Sequence, residues 1–217
     1  MIRKSFLLFA LVGLSCTSDD VIRAEKTNFY NIYKNIIVSE RSNDPKIVKN
    51  KKKVYDRDWL SKFSQPIVLL SSQDEKTGAS LVALGNYRNR LTWVSSDGIS
   101  VSFENGILIA TRGYSQDLIE ARHGDLSSLF TSYNVTRTKT YRYLNGENEY
   151  KELNFSCSIK VRPNTTSSFL DLNLATTKFI ENCRSGSNQH TNEYYVLPNT
   201  NIVLKSKQWI SETNGYV

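Results

Sequence analysis

Between Leu91 and Arg112 the chain alternates and turns in a pattern that antiparallel β structure satisfies. Residues 91–94, 99–103 and 107–112 are apolar runs of strand length, separated by Asp97-Gly98 and Asn105-Gly106. Both dipeptides supply the positive-φ residues that tight hairpin turns demand. Ile99, Val101 and Phe103 alternate with Ser100 and Ser102, as in a strand with one buried and one wet face. A three-stranded meander is expected.

The same rhythm extends both ways. Residues 66–70 and 80–84 flank the polar turn Asp74-Glu75-Lys76-Thr77-Gly78 and read as a hairpin, preceded by a short helical turn at 56–63. Residues 113–129 interrupt it, and Leu118, Ile119 and Leu126 point to a loop with a turn or two of helix. Strands are expected again at 133–144 and 150–161 across Asn145-Gly146, then at 176–183 and 193–197. The turn Pro198-Asn199-Thr200-Asn201 leads to a last strand, 202–209, and a short tail, 210–217. Leu153, Phe155, Cys157 and Ile159 alternate with Asn154, Ser156 and Ser158, which places Cys157 on the inward face. About ten short strands at hairpin spacing predict an all-β fold, one antiparallel barrel- or sandwich-like domain over residues 54–217.

The N-terminus sets the compartment. Arg3 and Lys4 precede an apolar core at 6–14, then Ser15 and Cys16, the order of a secretory signal over residues 1–15. The core is too short to span a bilayer, which takes about 20 residues. A cysteine directly after the core and a small residue fits a bacterial lipoprotein signal, with Cys16 lipidated as the new N-terminus; an ordinary cleaved signal is the alternative. Residues 16–53 then hold a polar tether, an N-terminal amphipathic helix from Val21 to about Val38, and a lysine-rich linker. Lys46, Lys49, Lys51, Lys52 and Lys53 in that linker are either simply solvated or a contact for lipid headgroups or an acidic polysaccharide. The net charge of +7 does not imply nucleic acid as a partner in an exported chain.

With Cys16 used by the signal, Cys157 and Cys183 remain as a pair in an oxidising compartment and read as a disulfide. Closing such a loop is worth about 3 kcal/mol. Zinc is the rival use, but there is no C-x-x-C, and His123 and His190 are the two histidines, so no metal or cofactor is expected. Catalysis would start from His123 in Arg122-His123-Gly124-Asp125, with Asp117 and Glu120 nearby, and Glu120 and Asp125 as the one glycosidase-like pairing. No G-x-S-x-G, H-E-x-x-H or glycine-rich phosphate loop accompanies it, so no catalytic residue is assigned and His123 is expected on a surface loop. Tyr133, Tyr141, Tyr143, Tyr150, Tyr194 and Tyr195, with Trp93 and Trp209, are expected in the core with hydroxyls at its rim; a sugar-binding aromatic groove is the sharper alternative.

Trp93-Val94-Ser95-Ser96-Asp97-Gly98, Gly106-Ile107-Leu108-Ile109-Ala110-Thr111-Arg112-Gly113, Arg142-Tyr143-Leu144-Asn145-Gly146-Glu147 and the ending Lys207-Gln208-Trp209-Ile210-Ser211 with Gly215-Tyr216 form a combination. Together with the signal it resembles the YjbF/GfcB group 4 capsule polysaccharide lipoproteins, from about Pro66 to the C-terminus. The resemblance implies a β-barrel-like lipoprotein of the outer membrane, facing the periplasm and without catalytic residues, whose partners are capsule or exopolysaccharide export proteins or the polysaccharide itself. It also implies that Cys157 and Cys183 correspond to the family's paired cysteines. Two departures are Gly13, where a lipoprotein signal prefers Leu, and residues 211–214, which lack a proline after Trp-Ile-Ser. The expected role is a non-catalytic accessory or structural component of polysaccharide assembly and export. The alternatives are a periplasmic polysaccharide-processing enzyme using His123 and a passive anionic-polysaccharide-binding module.

Overall fold

Alternating side chains leave one face of each strand apolar, and the described chain buries those faces by pairing successive strands antiparallel. The computed structural model describes residues 57–61, 63–71, 78–87, 90–124, 129–130, 136–144, 149–170 and 172–217. The signal, Cys16, the predicted helix 21–38 and the five lysines of the linker lie outside the described residues. The chain divides at Asp44/Pro45, and every described residue belongs to the second unit.

Apart from the helical turn α1 (Arg57–Leu60), every regular element of the described residues is a strand. The first sheet is a five-stranded meander of β1 (Ile67–Ser71), β2 (Gly78–Tyr87), β3 (Arg90–Ser95), β4 (Ser100–Glu104) and β5 (Ile107–Arg112) in chain order. Its β3–β4 and β4–β5 turns are those read from the sequence: Gly98 has φ 89°, and Asn105 and Gly106 have φ 51° and 81°. The second sheet, again in chain order, joins β6 (Leu118–His123), β7 (Thr136–Leu144), β8 (Tyr150–Phe169), β9 (Leu172–Ser185), β10 (Asn188–Val196) and β11 (Val203–Lys207). A short ribbon of β12 (Trp209–Ser211) and β13 (Gly215–Tyr216) ends the chain. The sheets form half-barrels. Two buried clusters span both sheets: Leu81, Trp93, Val101 and Leu108 from the first pack with Leu118, Tyr141, Tyr143 and Phe155 from the second and Trp209 and Ile210 from the ribbon, and Ile107 packs with Ile159, Phe179, Tyr194 and Val196.

Four expectations need correction. Residues 118–123 are a strand, not a loop with helix. A register shift between Leu118 and Glu120 breaks the period of two, so the buried Leu118 and Ala121 stand three apart and mimic helical spacing. Strands β8 and β9 run on to Phe169 and start at Leu172. This polar extension is held by its backbone ladder and by the Thr165–Thr176 hydroxyl pair at 3.0 Å. Strand β10 starts at Asn188, before the expected 193, because its first inward residues are the polar His190 and Asn192. Finally, 202–209 is not one strand followed by a loose tail: the chain breaks at Gln208, whose backbone N–H and C=O exchange hydrogen bonds with Val217 at 2.7 and 2.9 Å.

Candidate functional site

Parity along three strands assembles an unusual interior. On β7, Lys139 shares the inward face with Tyr141 and Tyr143; on β9, Glu181 shares it with Phe179 and Cys183; on β10, His190 and Asn192 share it with Tyr194. Lys139 Nζ donates to Glu181 Oε2 at 2.8 Å, with both side chains 4% exposed. Asn192 Nδ2 and the Tyr194 hydroxyl donate to the same oxygen at 2.7 and 3.0 Å. Asn192 Oδ1 accepts from the Trp209 backbone N–H at 2.8 Å, so the cluster also fixes the start of β12.

Burial by itself raises the Glu181 carboxyl, but the Lys139 charge and the hydrogen bonds from Lys139 and Asn192 outweigh it and hold the group at about 2. Burial opposes the charge of Lys139, yet Glu181 keeps it protonated far above the usual lysine range. Burial and then Glu181 push the Tyr194 phenol well up. The carboxylate–ammonium pair is therefore fixed, and its neighbouring phenols stay neutral.

The two histidines border this pair. His123 is not in a surface loop; it is the last residue of β6, and burial followed by the Lys139 charge lowers it to about 3. Its neutral ring donates from Nε2 to the Leu108 carbonyl at 3.0 Å, tying the second sheet to β5. Burial, then Lys139, lowers His190 to about 4. Its ring stacks on Trp209 at 4.3 Å and 9°, with Nε2 3.3 Å from the Tyr141 hydroxyl. Its Nδ1 is buried without a hydrogen-bond partner among the described residues.

The acids weighed for catalysis are separated from the histidines by their own bonds. Asp117 accepts from Thr111 Oγ1 and from the backbone N–H groups of Gly113 and Tyr114, all at 3.1 Å, which ties the β5–β6 connection. Glu120 accepts from Arg122 at 3.0 Å and Arg142 at 3.2 Å, in a partly exposed ladder that continues to Glu152. Asp125 lies outside the described residues. Three of the tyrosine hydroxyls lie inside and not at a rim: Tyr143 donates to the Ile210 carbonyl at 2.5 Å, and Tyr141 and Tyr194 are bonded within the core, while Tyr195 is half-buried and Tyr133 lies outside the described residues. Tyr150 is 62% exposed.

Cys157 and Cys183 are directly opposed in the β8–β9 register and joined by a disulfide, 26 residues apart in sequence. Their sulfurs and a Glu181 carboxylate oxygen lie within 4.8 Å of one another. With both thiols in the disulfide, this group offers no thiolate to a metal. Beside it, β10 has a free edge, because β11 pairs only from Glu193 onward. There a cleft of about 320 Å³ opens, lined by Asn182, Cys183, Arg184, Gln189, His190, Thr191 and Tyr216. The Tyr216 hydroxyl accepts from the Thr191 backbone N–H at 3.2 Å, and Asn182 Oδ1 accepts from Thr191 Oγ1 at 3.0 Å.

Fold and site together define a disulfide-stapled, all-antiparallel β protein whose buried charges pair with one another and whose polar cleft sits at a strand edge. The chain belongs to the YjbF family, described as group 4 capsule polysaccharide lipoprotein GfcB, YjbF, which it matches over residues 40–217. The resemblance seen in the sequence is thereby borne out. Among solved structures it is similar to the hypothetical lipoprotein YmcC from Escherichia coli (K12), at 14% identity and a TM-score of 0.60, covering 73% of this chain and 84% of that one. That likeness concerns the fold. No curated protein matches the chain.

Proposed function

We propose that this protein is an outer-membrane lipoprotein, anchored through Cys16 and facing the periplasm, that serves capsule or exopolysaccharide assembly and export as a non-catalytic accessory component. Membership of a capsule polysaccharide lipoprotein family supports the process. The observation that carries the non-catalytic part is the engagement of Lys139 and Glu181 with each other and with Asn192 and Tyr194 inside the core. Such a pair positions strands and is spent before any substrate arrives. The lysines at 46, 49, 51, 52 and 53 supply positive charge near the membrane or the polymer.

Deleting the protein is expected to lower surface polysaccharide while the cytoplasmic precursor pool stays intact. Unchanged surface polymer would sink the export role. Lipid labelling of the wild type and of Cys16→Ser separately tests the anchor, and equal label in both, or none in either, would refute it.

A further inference from the structure

The cleft at the free edge of β10 has the makings of a carbohydrate subsite, and its charge selects among carbohydrates. Its volume of about 320 Å³ lies at the lower end of the range for small-ligand sites, roughly 300–1,000 Å³. Its outer wall is formed by β9 and β10, where Arg184 pairs in register with Gln189 and Asn182 with Thr191, a row of amide, hydroxyl and guanidinium groups. Tyr216 is the aromatic residue of the lining, with Lys207 Nζ 4.5 Å from its ring centroid. His190, 5% exposed, lines the cleft, and its Nδ1 has no hydrogen-bond partner among the described residues. Sugar hydroxyls both donate and accept, so they suit amides, a threonine hydroxyl and a neutral imidazole alike.

Charge decides the class of sugar. No Asp or Glu lines the cleft, and neither Arg184 nor Lys207 makes an ion pair among the described residues. Arg90 and Arg142, by contrast, are matched, the first with Glu104 and the second with Glu120 and Glu152, while Arg162, exposed and without an ion pair among the described residues, lies outside the cleft. An unmatched guanidinium beside a polar cleft is the geometry that takes a carboxylate through two parallel N–H donors. We propose that this cleft binds one or two residues of an acidic, uronic-acid-bearing polysaccharide segment, with Arg184 facing the sugar carboxylate and the Asn182, Gln189 and Thr191 side chains facing its hydroxyls. The proposal rests on the capsule-related reading above and names the ligand class that reading leaves open.

The test is NMR titration of the purified full-length protein with cellobiouronic acid and digalacturonic acid, and with cellobiose as the neutral control. At least one acidic disaccharide is expected to shift the amides of residues 182–191 and of Tyr216, with cellobiose at least about threefold weaker, and added salt should narrow that difference. Arg184→Gln should abolish the acidic preference, while Arg162→Gln, at an exposed position on β8 outside the cleft, should keep it. No shift with any disaccharide, equal shifts with acidic and neutral sugars, or an Arg184→Gln protein that retains the preference would each overturn the proposal. The deletion experiment separates the two readings: reduced surface polymer with no disaccharide binding leaves the accessory role standing and this cleft assignment refuted. Acid-selective binding with unchanged surface polymer does the reverse.

Discussion

Two residues, Lys139 and Glu181, form an ion pair at 2.8 Å inside the described core. Breaking a buried pair by removing one partner costs about 3–5 kcal/mol, since the other charge is left in a low-dielectric interior. Lys139→Met is therefore expected to lower the urea midpoint of unfolding sharply, and Lys139→Met with Glu181→Leu to recover much of the loss; a double variant no more stable than the single would contradict the pairing. The same cluster sets the acid limb of stability. The folded chain holds His190 near 4 and His123 near 3 against 6.5 for free histidine, so below pH 6.5 the unfolded chain binds protons that the folded chain refuses. Stability should fall as the pH drops from 6.5 towards 3. Glu181, held near 2 against 4.5, contributes stability that is complete above pH 4.5 and lost as the pH falls towards 2. Urea midpoints at pH 7, 5 and 3 should decline in that order, and His123→Gln with His190→Gln should flatten the step from pH 7 to 5; an unchanged slope would reject the assignment. The sequence held a signal for this cluster, since Lys139, Glu181 and Asn192 share strand parity with Tyr141, Cys183 and Tyr194. That these side chains meet was not legible, because the pairing of β7 to β10 across the sheet decides it.

Strands and turns are the level at which local sequence speaks most clearly. Asp97-Gly98 and Asn105-Gly106 fix the first sheet because few residues other than glycine adopt the positive φ they require. The two glycines differ in surroundings. A Cβ on Gly98 meets open space, whereas on Gly106 it would stand 2.5 Å from Val203 Cγ2. Gly98→Ala should thus cost roughly 1–2 kcal/mol of backbone strain alone, and Gly106→Ala that plus about 1–3 kcal/mol of overpacking. Thermal denaturation of both, and of Gly106→Ala with Val203→Ala, would check this, the second change being expected to return only the packing share. Strand β6 was illegible for the opposite reason: its register shift spaces Leu118 and Ala121 like a helix, and only pairing with Tyr143 and Tyr141 shows them as a strand. Strand β8 from Pro163 to Ser168 carries no apolar alternation, so its length is set by its pairing with β9.

At the scale of the whole β unit, the two sheets are joined by the C-terminal residues. Gln208 accepts from the buried Leu108 N–H at 2.7 Å and donates to the Gly106 carbonyl at 2.8 Å, while Trp209 and Ile210 fill the shared core. Ending the chain after Lys207 should therefore abolish cooperative unfolding and near-ultraviolet dichroism, although it removes only the segment expected to be a strand end and tail; a truncated protein with an unchanged melt would show the sheets to be self-sufficient. By itself the sequence determined the class of fold, most strand positions, the opposed cysteines and the family, because turn chemistry, period-two alternation and motif order are local properties of the chain. Tertiary structure alone decided that a lysine and a glutamate lie paired in the core, that His190 is buried and His123 half-buried, both neutral, and that the C-terminal residues close the core. It also decided that Arg184 and Tyr216, 32 positions apart, border one cleft. These depend on which strand edges and faces meet, and such long-range contacts have no period along the chain.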